Sequence, residues 1–352
     1  MDLLQIKIFL ANRLPTHALI RIAKLYHTVL KRASRLPFIR QSQSGLTVRV
    51  AQRSLADSDL AALQAPEHVK LKEWDEAFRE YEPSPGNAPI PLTWVHKPVG
   101  GNYGDWLSPY LIHRTSGRAI THQDLFSERS QAHLISLGSI ISAANRSSLV
   151  LGSGINSSRD EINPHARYIL VRGFHTLEAL PRSARHSEIQ CCDPGFFLRE
   201  IYKPRNLSDK PPEKLLIPHI NHARLFRSIG DPEFTIASAN VCKSVDLEAL
   251  IDRITAAELV VTSAMHIFVT CCTYGIKCAL IKPETAEHAV PGDGIKYRDC
   301  MSPVLSEPFA PKQVRISKGM SILNEVDVKL FDINFKHISN SYEIFRSSLQ
   351  DI

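Results

Sequence analysis

Short apolar segments that end in turns, each followed by a helix-like segment, recur along residues 92–281 and constrain the fold more than any other feature. The strand-like runs are 92–96, 133–137, 148–151, 168–171, 214–217, 234–237, 259–262 and 278–281. Helix-like segments lie between many of them, at 106–115, 173–180, 244–257 and 265–274. Strands that end in glycine turns and open onto helices predict parallel sheets with crossover helices, which is the α/β class.

Two Pro-containing breaks divide the chain. One lies at 82–91, and the other lies at 204–212, where the strand–helix pattern stops and restarts. The sequence therefore predicts an N-terminal extension with a Pro-rich connector and two α/β units, followed by a tail. The predicted ranges are 1–91, 92–208, 209–310 and 311–352. The extension includes a helix-like stretch at 60–81, and the tail includes a final helix near 331–349 that packs back across both units.

The N-terminal extension carries most of the excess positive charge. Residues 1–50 hold nine Lys and Arg and one acid, against 42 and 36 in the whole chain. Residues 17–36 have helical periodicity, with apolar residues on one face and basic residues on the other. This pattern indicates either a helix that lies on an anionic membrane or one that packs on its own domain or a partner subunit. The near-neutral remainder argues against nucleic-acid binding.

Cysteine usage and hydropathy favour a cytoplasmic location. The seven cysteines include no Cys-x-x-Cys motif, and they are expected to be reduced, buried thiols. No secretory signal is predicted. Residues 259–276 contain no Lys, Arg, Asp or Glu, a length that reaches the threshold for a membrane span. Because this stretch includes hydroxyl side chains, His266 and Gly275, we expect a buried strand, a polar turn and a buried helix.

The first glycine-rich turn, residues 100–108, joins a strand to a helix. Glycines such as Gly104 let the backbone approach a ligand, and the following helix N-terminus presents N–H groups to an anion. The turn lacks the Gly-Lys-Ser/Thr of a P-loop. Asp105 is either a helix cap or a base in a cleft.

Other candidate residues also follow predicted strands. Arg172 ends an apolar run, where it would either bind a carboxylate or phosphate or form a surface ion pair. His266 opens a helix after a buried strand, and is either functional or a structural core residue. His219 and His222 lie in a loop, so metal binding is not favoured. The Gly152-Ser-Gly154 segment is only a partial dinucleotide fingerprint.

Taken in order, these motifs resemble the polysaccharide pyruvyl transferase family over about residues 92–305. Two departures from the family pattern are Ala264, where some members carry an Arg used for the donor, and Ile267, which replaces a Gly. The similar segments are Asn102-Tyr-Gly-Asp105, Leu137-Gly-Ser-Ile140, Leu151-Gly-Ser-Gly-Ile155, Val171-Arg-Gly-Phe-His-Thr176, Cys192-Asp-Pro194, Ile217-Pro-His219 and Thr262-Ser-Ala-Met-His266.

The resemblance implies two Rossmann-like domains that face each other across a cleft, as in type-B glycosyltransferases. It implies an enzyme that transfers pyruvate from phosphoenolpyruvate to a sugar of a surface polysaccharide, or of its lipid-linked precursor, forming a ketal. The protein would then work in the cytoplasm, peripherally on the inner face of the plasma membrane, with residues 17–36 as the contact.

Ketal chemistry assigns roles to the candidates. His266 would protonate the methylene carbon of phosphoenolpyruvate, Arg172 would bind its anionic groups, and Asp105 would act as the base. Phosphate leaves intact, so the chemistry demands no metal or cofactor, although Mg²⁺ bound with the donor stays an alternative. The residues expected to bind donor or acceptor are Asn102, Gly104, Gly138, Ser139, Gly152, Ser153, Gly154, His219 and Ser263.

Two other functions stay open at this point. One is a sugar transferase of the same architecture that uses a nucleotide-sugar donor, in which His266 would be a base. The other is an assembly factor of a polysaccharide complex whose site is degenerate, which the departures at Ala264 and Ile267 favour.

Overall fold

The computed structural model of the chain describes residues 67–82, 88–96, 98, 100–125, 131–205, 212–227, 229–284 and 290–352. The predicted basic helix at 17–36 lies outside these residues. The same holds for the first part of the helix predicted at 60–81 and for most of the second predicted break.

The first unit contains a sheet of six parallel strands in the order β2-β1-β3-β4-β5-β6. The strands are β1 (Ile90–Thr93), β2 (Ile120–Gln123), β3 (His133–Ile135), β4 (Ser148–Leu151), β5 (Arg167–Val171) and β6 (Gln190–Cys191). Four helices accompany them: α1 (Glu67–Arg79), α2 (Tyr103–Ser116), α3 (Phe174–Ala179) and α4 (Leu198–Ile201).

The second unit contains five parallel strands in the order β8-β7-β9-β10-β11. They are β7 (Lys214–Ile217), β8 (Thr235–Ile236), β9 (Leu259–Thr262), β10 (Cys278–Pro283) and β11 (Lys312–Val314). The helices are α5 (Ala223–Arg227), α6 (Ser244–Thr255), α7 (Met265–Tyr274), α8 (Ile295–Met301) and α9 (Phe335–Gln350). Two parallel sheets in one chain confirm the prediction of an α/β protein with two Rossmann-like units.

Both sheets share one strand order. Numbered within each unit, the order begins 2-1-3-4-5, so the chain changes direction across the sheet between the first and third strands. In open parallel sheets, ligands bind outside the carboxyl ends of the strands at this switch point. The candidate site is therefore expected beyond β1 and β3 in the first unit and beyond β7 and β9 in the second.

The charge-free stretch 259–276 forms a buried strand, a turn and a buried helix, as expected. All four residues of β9 are buried, as is typical of a parallel strand covered on both faces. Helix α7 is buried along almost its whole length. No helix in the described part of the chain is long and apolar enough to cross a membrane. All seven cysteines are unpaired and buried.

Helix α1 belongs to the folded core, which therefore begins before residue 92. Its Phe78 ring lies 5.2 Å from the ring of Trp106 on α2, and Ala77 is fully buried. Just after the helix, the Tyr81 hydroxyl lies 3.2 Å from Ser244 Oγ of the second unit. The predicted connector thus contains an amphipathic helix that covers the first sheet, with its charged face outward.

Helix α9 returns the chain to the first unit. It packs against α2 and the turn Pro194–Phe197, where Phe345 lies 5.0 Å from Phe197 between ring centroids. This packing accounts for the first-unit part of the prediction, which had the final helix pack across both units. Strand β11 lies in the second sheet, so that unit extends past the predicted limit of 310. The two units share one continuous apolar core.

Candidate active site

The first turns of α2 and α7 meet between the two units, at the switch points. A Cβ atom at Gly104 of α2 would lie 2.2 Å from Nδ1 of His266 on α7, so any other residue at this position would displace the imidazole ring. The Tyr103 hydroxyl lies 2.7 Å from Thr270 Oγ1 and holds the helices together. The structure therefore brings the predicted residues Gly104, Asp105 and His266 to one place.

Asp105 lies half-buried in this contact. Burial raises the pKa of its carboxyl group to about 6, although the Asn102 amide and the nearby His266 and Lys296 favour the charged form. Asn102 Nδ2 donates a 2.7 Å hydrogen bond to Asp105 Oδ2. A carboxyl group that titrates near pH 6 can take a proton from a hydroxyl group and release it again near neutral pH.

Asp193 lies on the other side of the His266 ring. Its Oδ2 is 3.7 Å from His266 Nε2, and neither buried atom has a hydrogen-bond partner in the described residues. The Gly195 N–H donates to Asp193 Oδ1 at 2.8 Å and fixes the carboxylate. Burial opposes ionisation of Asp193, but His266, Arg172 and this N–H outweigh it and keep its pKa below the usual value. We infer that Nε2 carries the proton of the neutral ring, which leaves Nδ1 facing Gly104.

Ser263 connects the loop after β7 to the turn after β9. Its Oγ accepts the His219 N–H at 2.9 Å and lies 2.8 Å from His222 Nδ1, and the residue is 1% exposed. Ser263 therefore positions the loop, whereas the sequence assigned it to ligand binding.

Burial, followed by the charge of Lys296, lowers the pKa of His219 well below its usual value. No group of three His, Cys, Asp or Glu side chains that could hold a metal occurs among the described residues.

The glycine turns after β3 and β4 interlock. Gly138 and Gly152 have positive φ, and the Gly138 carbonyl accepts hydrogen bonds from Ser153 Oγ at 2.9 Å and Gly154 N at 3.0 Å. A Cβ at Gly152 would lie 2.1 Å from Pro194 Cγ. The predicted residues Gly138, Gly152, Ser153 and Gly154 thus form a pair of interlocked turns that follow β3 and β4, and the Gly154 N–H is already bonded to protein.

Arg172 is completely buried, which differs from both of its sequence interpretations. Its Nε donates to Asp299 Oδ2 at 2.8 Å, and Nη2 lies 2.8 Å from the same oxygen. Nη2 also donates to the Ile155 carbonyl at 2.6 Å, and Nη1 donates to Ser139 Oγ at 2.7 Å. Arg172 is therefore neither a surface ion pair nor a bidentate fork open to a ligand. Its partner Ser139 is half-buried and keeps its hydroxyl hydrogen for another acceptor.

Asp299 accounts for the segment Arg172-Gly-Phe-His-Thr176, because it binds both ends of it. Besides Arg172, it accepts hydrogen bonds from Thr176 N at 2.8 Å and Thr176 Oγ1 at 2.6 Å. A Cβ at Gly173 would lie 1.8 Å from the Asp299 carbonyl oxygen, so the motif leaves room for this backbone. The motif thus clamps α8, a helix of the second half of the chain, onto the first unit.

Lys296, on the first turn of α8, is the main residue that the sequence analysis missed. It is half-buried, and it interacts electrostatically with Asp105, Arg172 and His219. Burial, followed by the charge of Arg172, lowers its pKa to about 7. The signal that could have found it is the Gly292-Asp-Gly294 turn, which directly precedes a helix as other glycine turns of this chain do.

Comparisons with known proteins do not assign a family. No family model matches the chain, and no curated protein sequence matches it. One similar solved structure is titled the crystal structure of a functional uncharacterized protein from Klebsiella pneumoniae subsp. pneumoniae NTUH-K2044. It is 10% identical, with a TM-score of 0.37, and the match covers 66% of this chain and 92% of that one.

Proposed function

We propose that this protein is a ketal-forming pyruvyl transferase that uses phosphoenolpyruvate as the donor and a sugar of a surface polysaccharide, or its lipid-linked precursor, as the acceptor. The observation that carries the proposal is the meeting of an imidazole, a carboxyl group and a lysine between two parallel α/β units. The resemblance implies a cleft between these units like that of type-B glycosyltransferases. The motif resemblance supplies the donor.

The balanced reaction uses these groups in two steps. The protonated His266 ring gives its Nδ1 proton to the methylene carbon, while one acceptor hydroxyl bonds to the adjacent carbon and Asp105 takes that hydroxyl's proton. The proton on Asp105 then returns to His266, which restores both groups. Phosphate then leaves with the electrons of its C–O bond, and the second hydroxyl bonds to the same carbon. The proton of the second hydroxyl leaves with phosphate. The products are the cyclic ketal and inorganic phosphate.

Asp193 prepares His266 for this step. A buried carboxylate next to Nε2 fixes the ring orientation and compensates the charge of the protonated ring, as the third group does in catalytic triads. Nδ1 is then the atom that meets the donor. This assignment gives the Cys192-Asp-Pro194 motif a role that the sequence alone did not give it.

The two departures from the family pattern are compatible with an active site. Ile267 is fully buried within α7, where it packs in the core one residue after His266. Ala264 is 6% exposed and supplies no charge, but Lys296 places a cation in the same cleft. A degenerate site is therefore not required to explain either residue.

The activity is tested by incubating the full-length protein with phosphoenolpyruvate and lipid-linked oligosaccharides extracted from cells. We expect inorganic phosphate release, and an acceptor product heavier by pyruvate minus water in mass spectrometry. Boiled protein and protein without acceptor are the controls. Transfer from a nucleotide sugar, with release of a nucleotide and no use of phosphoenolpyruvate, would replace the proposal with the sugar-transferase alternative.

A lipid-linked acceptor also gives the basic segment 17–36 a purpose, because a bound segment would hold the cleft near the membrane. Each basic residue near an anionic surface contributes about 1 kcal/mol. We expect the full-length protein to sediment with phosphatidylserine-containing vesicles at low salt, and less so at high salt. A variant with glutamine at Arg21, Lys24, Lys31, Arg32 and Arg35 should stay in the supernatant. Equal sedimentation of both proteins would favour a packing role for this segment.

A further inference from the structure

Two cations lie close to the Asp105–His266 contact, and they differ in what their nitrogen atoms bind. Arg172 uses Nε, Nη1 and Nη2 in bonds to Asp299, Ser139 and Ile155. Its side chain is 0% exposed, so a ligand cannot reach it without breaking the buried ion pair. Removing one partner of such a pair is strongly destabilising, which favours a fixed structural role for Arg172.

Lys296, unlike Arg172, is not held in a salt bridge with any described residue. Among the described residues it forms no ion pair, and its Nζ makes a long 3.4 Å contact with the Pro291 carbonyl oxygen. The ammonium also lies 5.4 Å from the Tyr297 ring centroid. Neither neighbour carries a negative charge. A half-buried ammonium that interacts with the Asp105 carboxylate but forms no ion pair has its electrostatic energy lowered further by an anionic ligand.

The clamp on α8 fixes the backbone position of Lys296. Asp299 lies three residues after Lys296, so the two are neighbours along the same helix. Its bonds to Arg172 and Thr176 hold the helix on the first unit. Gly292 contacts Asn156, and Asp293 accepts the Ser158 N–H at 2.8 Å, which holds the preceding loop as well. Lys296 is thus fixed from both sides and is preorganised for a ligand.

We propose that Lys296 is the residue that binds the phosphate dianion of the donor, and that Arg172 acts as a positioning residue for the helix that carries it. That the dianion belongs to phosphoenolpyruvate rests on the proposed function, whereas binding of a small dianion by Lys296 does not.

Binding should depend on pH through Lys296. The charged and titratable groups that interact with it are Asp105 from α2, Arg172 just after β5, His219 from the loop after β7 and Lys282 from β10. With a pKa near 7, the ammonium is present below that pH and is lost above it. A bound dianion favours the ammonium and moves the loss to higher pH. Affinity is therefore expected to fall as pH rises from about 7 to 9.

Sulfate is the suitable probe, since it stays a dianion throughout this range. Calorimetric titration of the full-length protein at pH 6.5 should show sulfate affinity that falls roughly 10- to 100-fold in Lys296→Gln, as expected for one charge-assisted contact. Lys318→Gln, on an exposed lysine, is the matched control. Lys296→Arg should keep the affinity and lose its decline between about pH 7 and 9, because guanidinium stays charged.

Equal sulfate affinity in wild type and Lys296→Gln would overturn the proposal, as would a pH decline that persists in Lys296→Arg. In the pyruvyl transfer assay, Lys296→Gln should raise KM for phosphoenolpyruvate by a larger factor than it lowers kcat. Sulfate affinity that depends on Lys296 in a protein with no pyruvyl transfer would support the dianion site and contradict the proposed function alone.

Discussion

His266→Ala should lower the turnover of pyruvyl transfer by about 10²–10⁴-fold, the usual contribution of a general acid. The imidazole lies with Nε2 next to the Asp193 carboxylate and Nδ1 next to Gly104 on the first turn of α2, so the protonated ring carries its transferable proton on Nδ1. Initial rates of phosphate release at saturating phosphoenolpyruvate and acceptor measure the effect. The loss should be in kcat, since the proton is transferred only in the reacting complex.

The control for this variant is His186→Ala, which removes an exposed imidazole and should keep full activity. His266→Ala should keep the fold, because Arg172 and the Gly195 N–H still compensate the Asp193 carboxylate and no Nε2 hydrogen bond to a described residue is lost. Circular dichroism and the unfolding temperature check this. A folded His266→Ala protein with near-normal turnover would remove His266 from the mechanism.

The strands that the sequence predicts best are buried on both faces. The predicted limits of β4, β7 and β9 agree with the structure, since continuous apolar runs bounded by turn residues are typical of central parallel strands. The strands that it missed, β2, β6 and β11, all lie at sheet edges. An edge strand needs less apolar surface, so β2, with the sequence Ile-Thr-His-Gln, has no strand-like pattern.

Some residues of the candidate site could be selected from the sequence, and others could not. Asp105, His219 and His266 follow predicted strands, and the strand order that brings their turns together was not needed to select them. The roles of Lys296 and Asp299 depend on contacts with residues that are distant in the sequence. Lys296 lies 124 residues after Arg172, and Asp299 lies 127 residues after it. The Gly292-Asp-Gly294 turn marks the segment that carries these residues, but no local pattern shows which distant residues they contact. For the same reason the sequence could place Arg172 at a strand end but could not show that its guanidinium is already bonded.

Glycine positions were recognised, but their purpose was not. The sequence indicated that glycines let the backbone approach a ligand. In the structure, Gly104 makes room for His266, Gly154 for the Arg172 guanidinium and Gly173 for the Asp299 backbone. These glycines thus bring the protein's own groups close together, and the ligand meets the side chains that they position.

Asp299→Ala should lower the free energy of unfolding by about 3–5 kcal/mol, the usual cost of leaving a buried charge unpaired. The substitution removes the partner of Arg172 and two further hydrogen bonds from Thr176. Urea-induced unfolding, followed by fluorescence of the buried Trp94 and Trp106, measures the change. Asp327→Ala, at an exposed acid, should stay within about 0.5 kcal/mol of wild type.

The double variant Arg172→Met/Asp299→Leu separates the effect of an unpaired buried charge from the effect of losing the hydrogen bonds that hold α8. Replacing both charges by apolar groups removes the unpaired guanidinium, so the double variant should be more stable than Asp299→Ala. It should still lose sulfate affinity, because α8 would no longer be held by the Thr176 bonds that fix Lys296. A double variant that is stable and binds sulfate as wild type does would show that the clamp is not what positions Lys296. Loss of affinity in a stable, folded protein would instead connect the buried Arg172–Asp299 pair to the anion site through α8.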